Sequence, residues 1–241
     1  MSGRAIDGAP PDTPKNAWAR PVYDALYGPI FAWTYDGNMR RAEEAGLRTL
    51  RRNLLRAAIG RTLEIGAGTG LNLDHYTREV TELSLAEPSL PMLRRLERRV
   101  AAAERKATIV QCGGEQLPFA TGCFDTVVVT LVLCTARRPL AVAREIGRVL
   151  APSGQLLFLE HVRSKDPGLA RWQDRFAGAW RWLADGCVCN RDTRTLLDAA
   201  PLTLDGVRDD ILPNLGPLVS PLIVGRARRI PQPSLRAGYS P

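Results

Sequence analysis

The sequence has no long hydrophobic run, few lysines and only two histidines. No apolar stretch reaches the ~20 residues that a membrane-spanning helix needs. Residues 1–20 contain no apolar segment of signal-peptide length, so we expect a cytoplasmic protein. The chain has 241 residues, of which 45% are hydrophobic and 24% are charged. This composition is typical of a globular protein, and a chain of this size buries roughly 70% of its unfolded surface in one core.

Metal-binding patterns are also missing from the sequence. The cysteines show no CxxC spacing, and the histidines, His75 and His161, are far from them along the chain. This pattern argues against a structural zinc site and favours reduced thiols in a cytosol, so we expect no metal. The five cysteines are Cys112, Cys123, Cys134, Cys187 and Cys189.

Basic residues outnumber acidic residues: the sequence has 33 Lys and Arg and 25 Asp and Glu, for a net charge of +8. Only three of the basic residues are lysines. Such an excess can attract nucleic acid, anionic lipid or an acidic substrate, or it can simply be a solvated surface. Because zinc-finger, RNA-binding and helix-turn-helix signatures are absent, the sequence argues against nucleic acid as a partner.

Residues 21–226 are predicted to form a single domain between disordered segments at 1–20 and 227–241, which are rich in proline and glycine. Before residue 60 the pattern predicts a helix over 38–58, with leucines on one face and arginines on the other. The leucines are Leu47, Leu50 and Leu54, and the arginines are Arg41, Arg48 and Arg52.

From residue 62 onward, short apolar runs alternate with helical patterns, which predicts an α/β protein with a parallel sheet covered on both faces. The predicted strands are 62–65, 81–86, 107–112, 124–132, 151–161, 203–212 and 218–226. The predicted helices are 70–78, 89–105, 139–150 and 168–185, followed by one capped by Asn190.

The stretch TLEIGAGTG at 62–70 predicts a ligand-binding loop, because glycines after a strand expose backbone N–H groups at a close approach. A dinucleotide fingerprint has the spacing GxGxxG, whereas the spacing here is GxGxG and the sixth position is Leu71. A carboxylate at Glu64 disfavours a pyrophosphate and suits the amino group of an amino-acid ligand. Glu87 is placed to bind a ribose diol.

These segments resemble the class I S-adenosylmethionine-dependent methyltransferases. TLEIGAGTG is similar to their first motif, LAEPS to the acidic end of their second strand, and GGEQLPF with FDTVVV to the adenine-side loop and fourth strand. FAWTYDGNM, TLVLCTA, FLEHVRS and GCVCNRDT resemble, in the same order, segments of the family that includes mammalian thiol S-methyltransferases. The resemblance spans about residues 30–226.

The resemblance implies a Rossmann-like, doubly wound sheet of seven strands in the order 3-2-1-4-5-7-6, with the last strand antiparallel. It also implies an N-terminal helical lid over 21–58 and binding of S-adenosylmethionine, with S-adenosylhomocysteine as the product. The implied methionine-side residues are Glu64, Gly66, Gly68, Gly70, Thr130 and Leu131. Glu87 would bind the ribose, Gly114 and Glu115 would lie beside the adenine, and Tyr35 would belong to the lid.

Two features depart from the family pattern. Many relatives have Asp or Asn where Gly113 stands, so Glu115, Gln116 or a backbone carbonyl would have to read the adenine amine. The mammalian relatives begin with a hydrophobic anchor that is not found in this sequence, and membrane attachment is therefore not carried over.

His161 is the predicted general base, because it ends the fifth strand, at the edge where open α/β sheets place their sites. Glu160 precedes it and faces the other side of the sheet, where it is expected to bind a backbone group or an arginine. Cys134, Asp192 and Trp172 are predicted to line the acceptor pocket, although each residue type also has an ordinary structural use. The tryptophans after the fifth strand suit a lipophilic acceptor.

We therefore expect methyl transfer to a small lipophilic acceptor, with a thiol favoured because its pKa of about 8.5 lets it ionise with little help. A phospholipid amine and a quinone or phenol are alternatives within this class. Outside it, a nucleotide-dependent oxidoreductase or a non-catalytic membrane-surface module stays open. A lipid acceptor would accord with the helix at 38–58 lying on an anionic membrane.

Overall fold

The structure is a computed structural model that describes residues 19–184, 186–212 and 216–230. Seven strands form one sheet in the order β3-β2-β1-β4-β5-β7-β6, which confirms the predicted order. The strands are β1 Gly60–Ile65, β2 Val80–Ala86, β3 Thr108–Val110, β4 Phe124–Thr130, β5 Leu150–His161, β6 Leu202–Ile211 and β7 Pro221–Arg229. β7 is antiparallel to both of its neighbours, as predicted.

Helices cover both faces of the sheet. They are α1 Ala19–Ala42, α2 Arg48–Leu55, α3 Leu90–Ala102, α4 Pro139–Val149, α5 Pro167–Leu183 and α6 Thr193–Asp198. The side chains of β4 show how its apolar run serves two cores. Val127 and Val129 pack into the cluster that contains residues of α4 and α6, and Val128 packs into the cluster that contains residues of α2 and α3. Continuous β-branched runs of this kind suit strands that are buried on both faces.

The helix predicted over 38–58 is two helices with a break between them. α1 ends at Ala42, a π-helical turn spans Glu43–Leu47, and α2 then begins at Arg48. The break centres on Gly46, whose φ of 130° is accessible mainly to glycine. The predicted helix at 70–78 is also wrong: this segment holds only a 3₁₀ turn, Leu73–His75, because Asn72 and Tyr76 turn inward to Glu64.

Further differences lie towards the end of the chain. The last short helix is capped by Asp192 rather than by Asn190, since the Asp192 carboxylate accepts hydrogen bonds from the Thr195 backbone N–H and hydroxyl. β7 continues to Arg229, past the predicted boundary at residue 226, and Arg229 donates to the Leu150 carbonyl at 2.7 Å. The predictions of disorder for residues 1–18 and 231–241 lie outside the described residues. Within the described ranges, none of the helices combines the length and apolar character that a membrane crossing requires.

Candidate active site

The glycine loop after β1 has a backbone that side chains would obstruct. Gly66, Gly68 and Gly70 have φ angles of 65°, 58° and 85°. A Cβ atom at Gly66 would lie 2.7 Å from Val132, and one at Gly70 would lie 2.8 Å from Leu96. A Cβ at Gly68 would meet nothing within 4 Å. Packing therefore requires glycine at the two ends of the loop, while the middle glycine faces open space that a ligand can approach.

Glu64 is buried at the carboxyl end of β1, where two side chains hold its carboxylate. The Tyr76 hydroxyl donates to one oxygen at 2.6 Å, and the Asn72 amide donates to the other at 2.9 Å. Burial raises the pKa of Glu64 to about 7, although both hydrogen bonds oppose that shift. A ligand ammonium group beside Glu64 would favour its ionised form.

Arg51 supplies the opposite charge at the same place, and the sequence analysis missed it. Its Nη1 donates to the Asn72 side-chain oxygen and to the Thr130 hydroxyl, both at 2.9 Å, and its Nε donates to Glu43 at 3.0 Å. The available signal was its position: Arg51 follows Leu47 by four residues and precedes Leu54 by three, so it lies within the apolar stripe of α2.

One cavity joins these groups, and a carboxylate and a guanidinium face it together. Five of the predicted residues contribute to its wall: Tyr35, Glu64, Gly66, Gly68 and Thr130. The other lining residues are Arg51, Ala67, Thr69, Leu71 and Asn72. A carboxylate and a guanidinium beside a bare backbone loop suit the amino-acid end of S-adenosylmethionine, which carries both an ammonium and a carboxylate.

Glu87 directly follows the neighbouring strand β2 and is hydrogen-bonded to the same loop. One of its carboxylate oxygens accepts from the Gly68 backbone N–H and the other from the Ser89 N–H, both at 2.8 Å. Gly114, predicted beside the adenine, packs closely, because a Cβ there would lie 2.9 Å from Ile65. Gly114 and Glu115 are not among the residues that line the cavity, so their adenine contact stays a prediction.

α1 covers the glycine loop through one carboxylate. Asp36 accepts a hydrogen bond from the Thr69 hydroxyl at 2.5 Å and ion pairs from Arg99 at 3.0 Å and Arg95 at 3.2 Å. Thr69 belongs to the loop and the two arginines belong to α3. The neighbouring Tyr35 lines the cavity, and burial raises its pKa to about 12, so it presents a neutral hydroxyl.

The turn after β4 is held by Glu160, the buried acid near the end of β5. Its carboxylate accepts backbone N–H groups of Val132 and Leu133 at 2.9 Å and of Cys134 at 3.1 Å. The turn begins at Leu131, a non-glycine residue with a positive φ of 61°. A leucine in this region is a strained feature of the kind found at functional sites. Glu160 thus binds backbone groups, as expected.

His161 follows Glu160 and is half-buried. Burial lowers its pKa to about 4, against the opposing contacts with the Val219 and Pro221 backbone. Its Nδ1 is enclosed and has no hydrogen-bond partner. The imidazole is therefore neutral near pH 7 and a weak base.

The three predicted acceptor-pocket residues lie in different surroundings. Cys134 is buried in a cluster with Cys187, Cys189 and Val219. Trp172 is 59% exposed and stacks on Phe176, with ring centroids 5.0 Å apart, so it is not part of the core. Asp192 is exposed, and both of its oxygens serve the α6 cap. Contact of these residues with an acceptor stays a prediction.

The described residues contain no group of three or more His, Cys, Asp or Glu side chains placed to hold a metal ion. They do fit S-adenosylmethionine, because the buried Glu64 and Arg51 complement the two charges of its amino-acid end. The adjacent Glu87 has the acceptor chemistry that ribose hydroxyls need.

Comparisons with known proteins show the family to which the chain belongs. A family model described as "Methyltransferase domain" matches residues 63–158. Human thiol S-methyltransferase TMT1B is 32% identical over 169 residues, which cover 68% of this chain and 69% of that protein. Phosphatidylethanolamine N-methyltransferase from Cereibacter sphaeroides is 29% identical over 171 residues, covering 68% of this chain and 83% of that protein.

Among solved structures, the YcgJ protein from Bacillus subtilis covers 77% of this chain and all of its own length, with a TM-score of 0.63. At 16% identity, this likeness concerns the fold alone. The sequence relatives carry the assignment further, because one of them exceeds 30% identity over more than two thirds of its length. The chain belongs to the class I S-adenosylmethionine-dependent methyltransferases and is an enzyme of that class.

Proposed function

We propose that this enzyme methylates the sulfur of a small lipophilic thiol. The observation that carries the proposal is the enclosure of His161, the predicted base at the end of β5: its Nδ1 has no hydrogen-bond partner among the described residues, and burial lowers its pKa to about 4. A base this weak gives little help to an alcohol or a phenol, whereas a thiol with a pKa of about 8.5 ionises readily near neutral pH. The thiol S-methyltransferase relative supports the same choice.

The cavity residues have separate tasks in this proposal. Glu64 binds the ammonium and Arg51 the carboxylate of the methionine end, while Glu87 binds the ribose hydroxyls. S-adenosylmethionine, when bound, supplies the methyl group on a sulfonium. The protein's own contribution is to align the acceptor sulfur with that group and to exclude water, which are the main requirements of an in-line displacement.

The transfer balances without a metal or a redox partner. A lone pair of the acceptor thiolate forms the new S–C bond as the sulfonium S–C bond breaks. The electron pair of the broken bond stays on the sulfur of S-adenosylhomocysteine, and the acceptor's thiol proton goes to solvent.

The test offers the enzyme a hydrophobic thiol, its matched alcohol and a phosphatidylethanolamine, and measures release of S-adenosylhomocysteine. We expect release with the thiol and none with the alcohol. Release with phosphatidylethanolamine alone would contradict the thiol assignment and favour the phospholipid amine, the acceptor named for the Cereibacter sphaeroides relative. Binding of S-adenosylmethionine, measured in the same sample, shows that the enzyme is competent.

A further inference from the structure

Residues 186–193 fold over the carboxyl ends of β4 and β5, beside the turn that follows β4. The Val188 N–H donates to the Cys134 carbonyl at 2.8 Å, and the Arg163 N–H donates to the Arg191 carbonyl at 3.0 Å. Cys187 and Cys189 pack on Cys134 in the same cluster. These contacts fix Arg191 next to the β4 turn. The turn contains Cys134, which is four residues after Thr130.

Arg191 is buried with two of its three side-chain nitrogens unpaired. It is only 3% exposed, and its Nε and Nη1 are enclosed and make no hydrogen bond to any of the described residues. Burial of an unpaired guanidinium is costly, and native structures rarely leave one unsatisfied. The unpaired, enclosed nitrogens of this guanidinium indicate that Arg191 serves a group from outside the chain.

The charged and titratable groups that act on Arg191 come from each element around it. They are Cys134 in the β4 turn, Glu160 on β5, Cys187 in the covering segment and Arg181 on α5. The Glu160 carboxylate is engaged by three backbone N–H groups, and neither thiol accepts a bond from the enclosed nitrogens of Arg191.

We propose that Arg191 is the anion-binding group of the acceptor site and that its guanidinium holds the acceptor sulfur as a thiolate. This inference rests on the proposed thiol function and adds a residue to it. A neighbouring cation favours the thiolate over the thiol, and the effect is strong where water is excluded. The acceptor's thiol proton leaves to solvent on binding, and the transfer then balances as described above.

The test compares Arg191→Met and Arg191→Lys with a matched control, Arg175→Met, which removes an exposed arginine of α5. kcat/KM is measured against pH at saturating S-adenosylmethionine, with two aromatic thiols that differ in thiol pKa. For Arg191→Met we expect a loss of about hundredfold with the less acidic thiol, the order seen when one partner of a buried charge pair is removed. With the more acidic thiol the loss is smaller. In Arg191→Met, the rising limb of the pH profile moves to higher pH. The profile of Arg191→Lys lies between those of Arg191→Met and the wild type, and that of the Arg175→Met control is unchanged.

An equal loss with both thiols, or an unshifted pH profile in Arg191→Met, overturns the inference while leaving thiol methylation intact. An inactive wild type that still binds S-adenosylmethionine would instead contradict the proposed function. If Arg191→Met fails to fold, a measurement on the wild-type enzyme replaces it. An aromatic thiol is titrated by its thiolate absorbance in the complex of the wild-type enzyme with S-adenosylhomocysteine. A bound thiol pKa at least about one unit below that of the free thiol supports the inference, and an unchanged value overturns it.

Discussion

At the scale of single residues, the site depends on two buried charges of opposite sign. Glu64 and Arg51 are 2% and 3% exposed, and both are hydrogen-bonded to Asn72. The sequence revealed Glu64, because an acid just before a glycine loop is an unusual feature. Arg51 was hidden by the general excess of arginine, and its burial depends on long-range contacts with Asn72 and Thr130 that no local pattern displays.

The raised pKa of Glu64 predicts that cosubstrate binding depends on pH. Without ligand this carboxyl has a pKa of about 7, and its ionised form is the one that pairs with an ammonium. We expect the affinity for S-adenosylmethionine to increase as the pH rises from 6 to 8, by up to about tenfold per pH unit below the pKa. Isothermal titration at several pH values measures this. Glu64→Gln should bind more weakly and lose the dependence, whereas Glu82→Gln, an exposed control on β2, should keep it.

The same shift has a consequence for stability, with the opposite sign. The folded pKa of Glu64 lies above the ordinary value of 4.5, so its contribution to folding is fully present below pH 4.5 and is lost as the pH rises through 7. The ligand-free Glu64→Gln variant should therefore gain stability relative to the wild type between pH 5 and pH 8. A constant difference in the free energy of unfolding across that range would contradict the assigned pKa.

At the scale of elements, α1 closes the cofactor side of the site. The break at Gly46 separates α1 from α2, and Asp36 joins α1 to the glycine loop and to α3. The resemblance predicted an N-terminal lid with Tyr35, and Tyr35 does line the cavity. The Asp36 contacts were not predictable, because they join residues 33, 59 and 63 positions apart.

We expect Asp36→Asn to speed the dissociation of S-adenosylhomocysteine by about tenfold, since hydrogen bonds to a charged group contribute ~1.5–3 kcal/mol. The carboxylate is 27% exposed, which favours the lower part of that range. Stopped-flow displacement measures the rate, and Asp198→Asn, an exposed acid at the end of α6, is the control. An unchanged dissociation rate in a folded Asp36→Asn protein would show that α1 does not restrain the ligand.

At the scale of the whole molecule, strand order places the chemistry. β1 and β4 are central neighbours, at the point where the order of connections reverses, and open α/β sheets bind their ligands at such points. Glu64, Glu87, Thr130 and His161 all lie at carboxyl ends of strands. The alternation of strands and helices predicted the parallel sheet, and the family resemblance predicted the strand order. The acceptor side was less predictable, because the burial of its unpaired cation, Arg191, depends on how residues 186–193 pack over the β4 turn. The sequence analysis chose the adjacent Asp192, which the structure uses as a helix cap.

The central claim is that the cavity between Glu64 and Arg51 binds the amino-acid end of S-adenosylmethionine. The most direct measurement is calorimetric binding of S-adenosylmethionine and of 5′-methylthioadenosine, which lacks the amino-acid end. Both ligands are titrated into Arg51→Met and into Arg52→Met, a control that removes an exposed arginine. The account predicts that Arg51→Met binds S-adenosylmethionine at least about tenfold more weakly, a loss of ~1.4 kcal/mol or more, and binds 5′-methylthioadenosine as the wild type does. Equal losses for both ligands, or no loss for either in a folded protein, would contradict it.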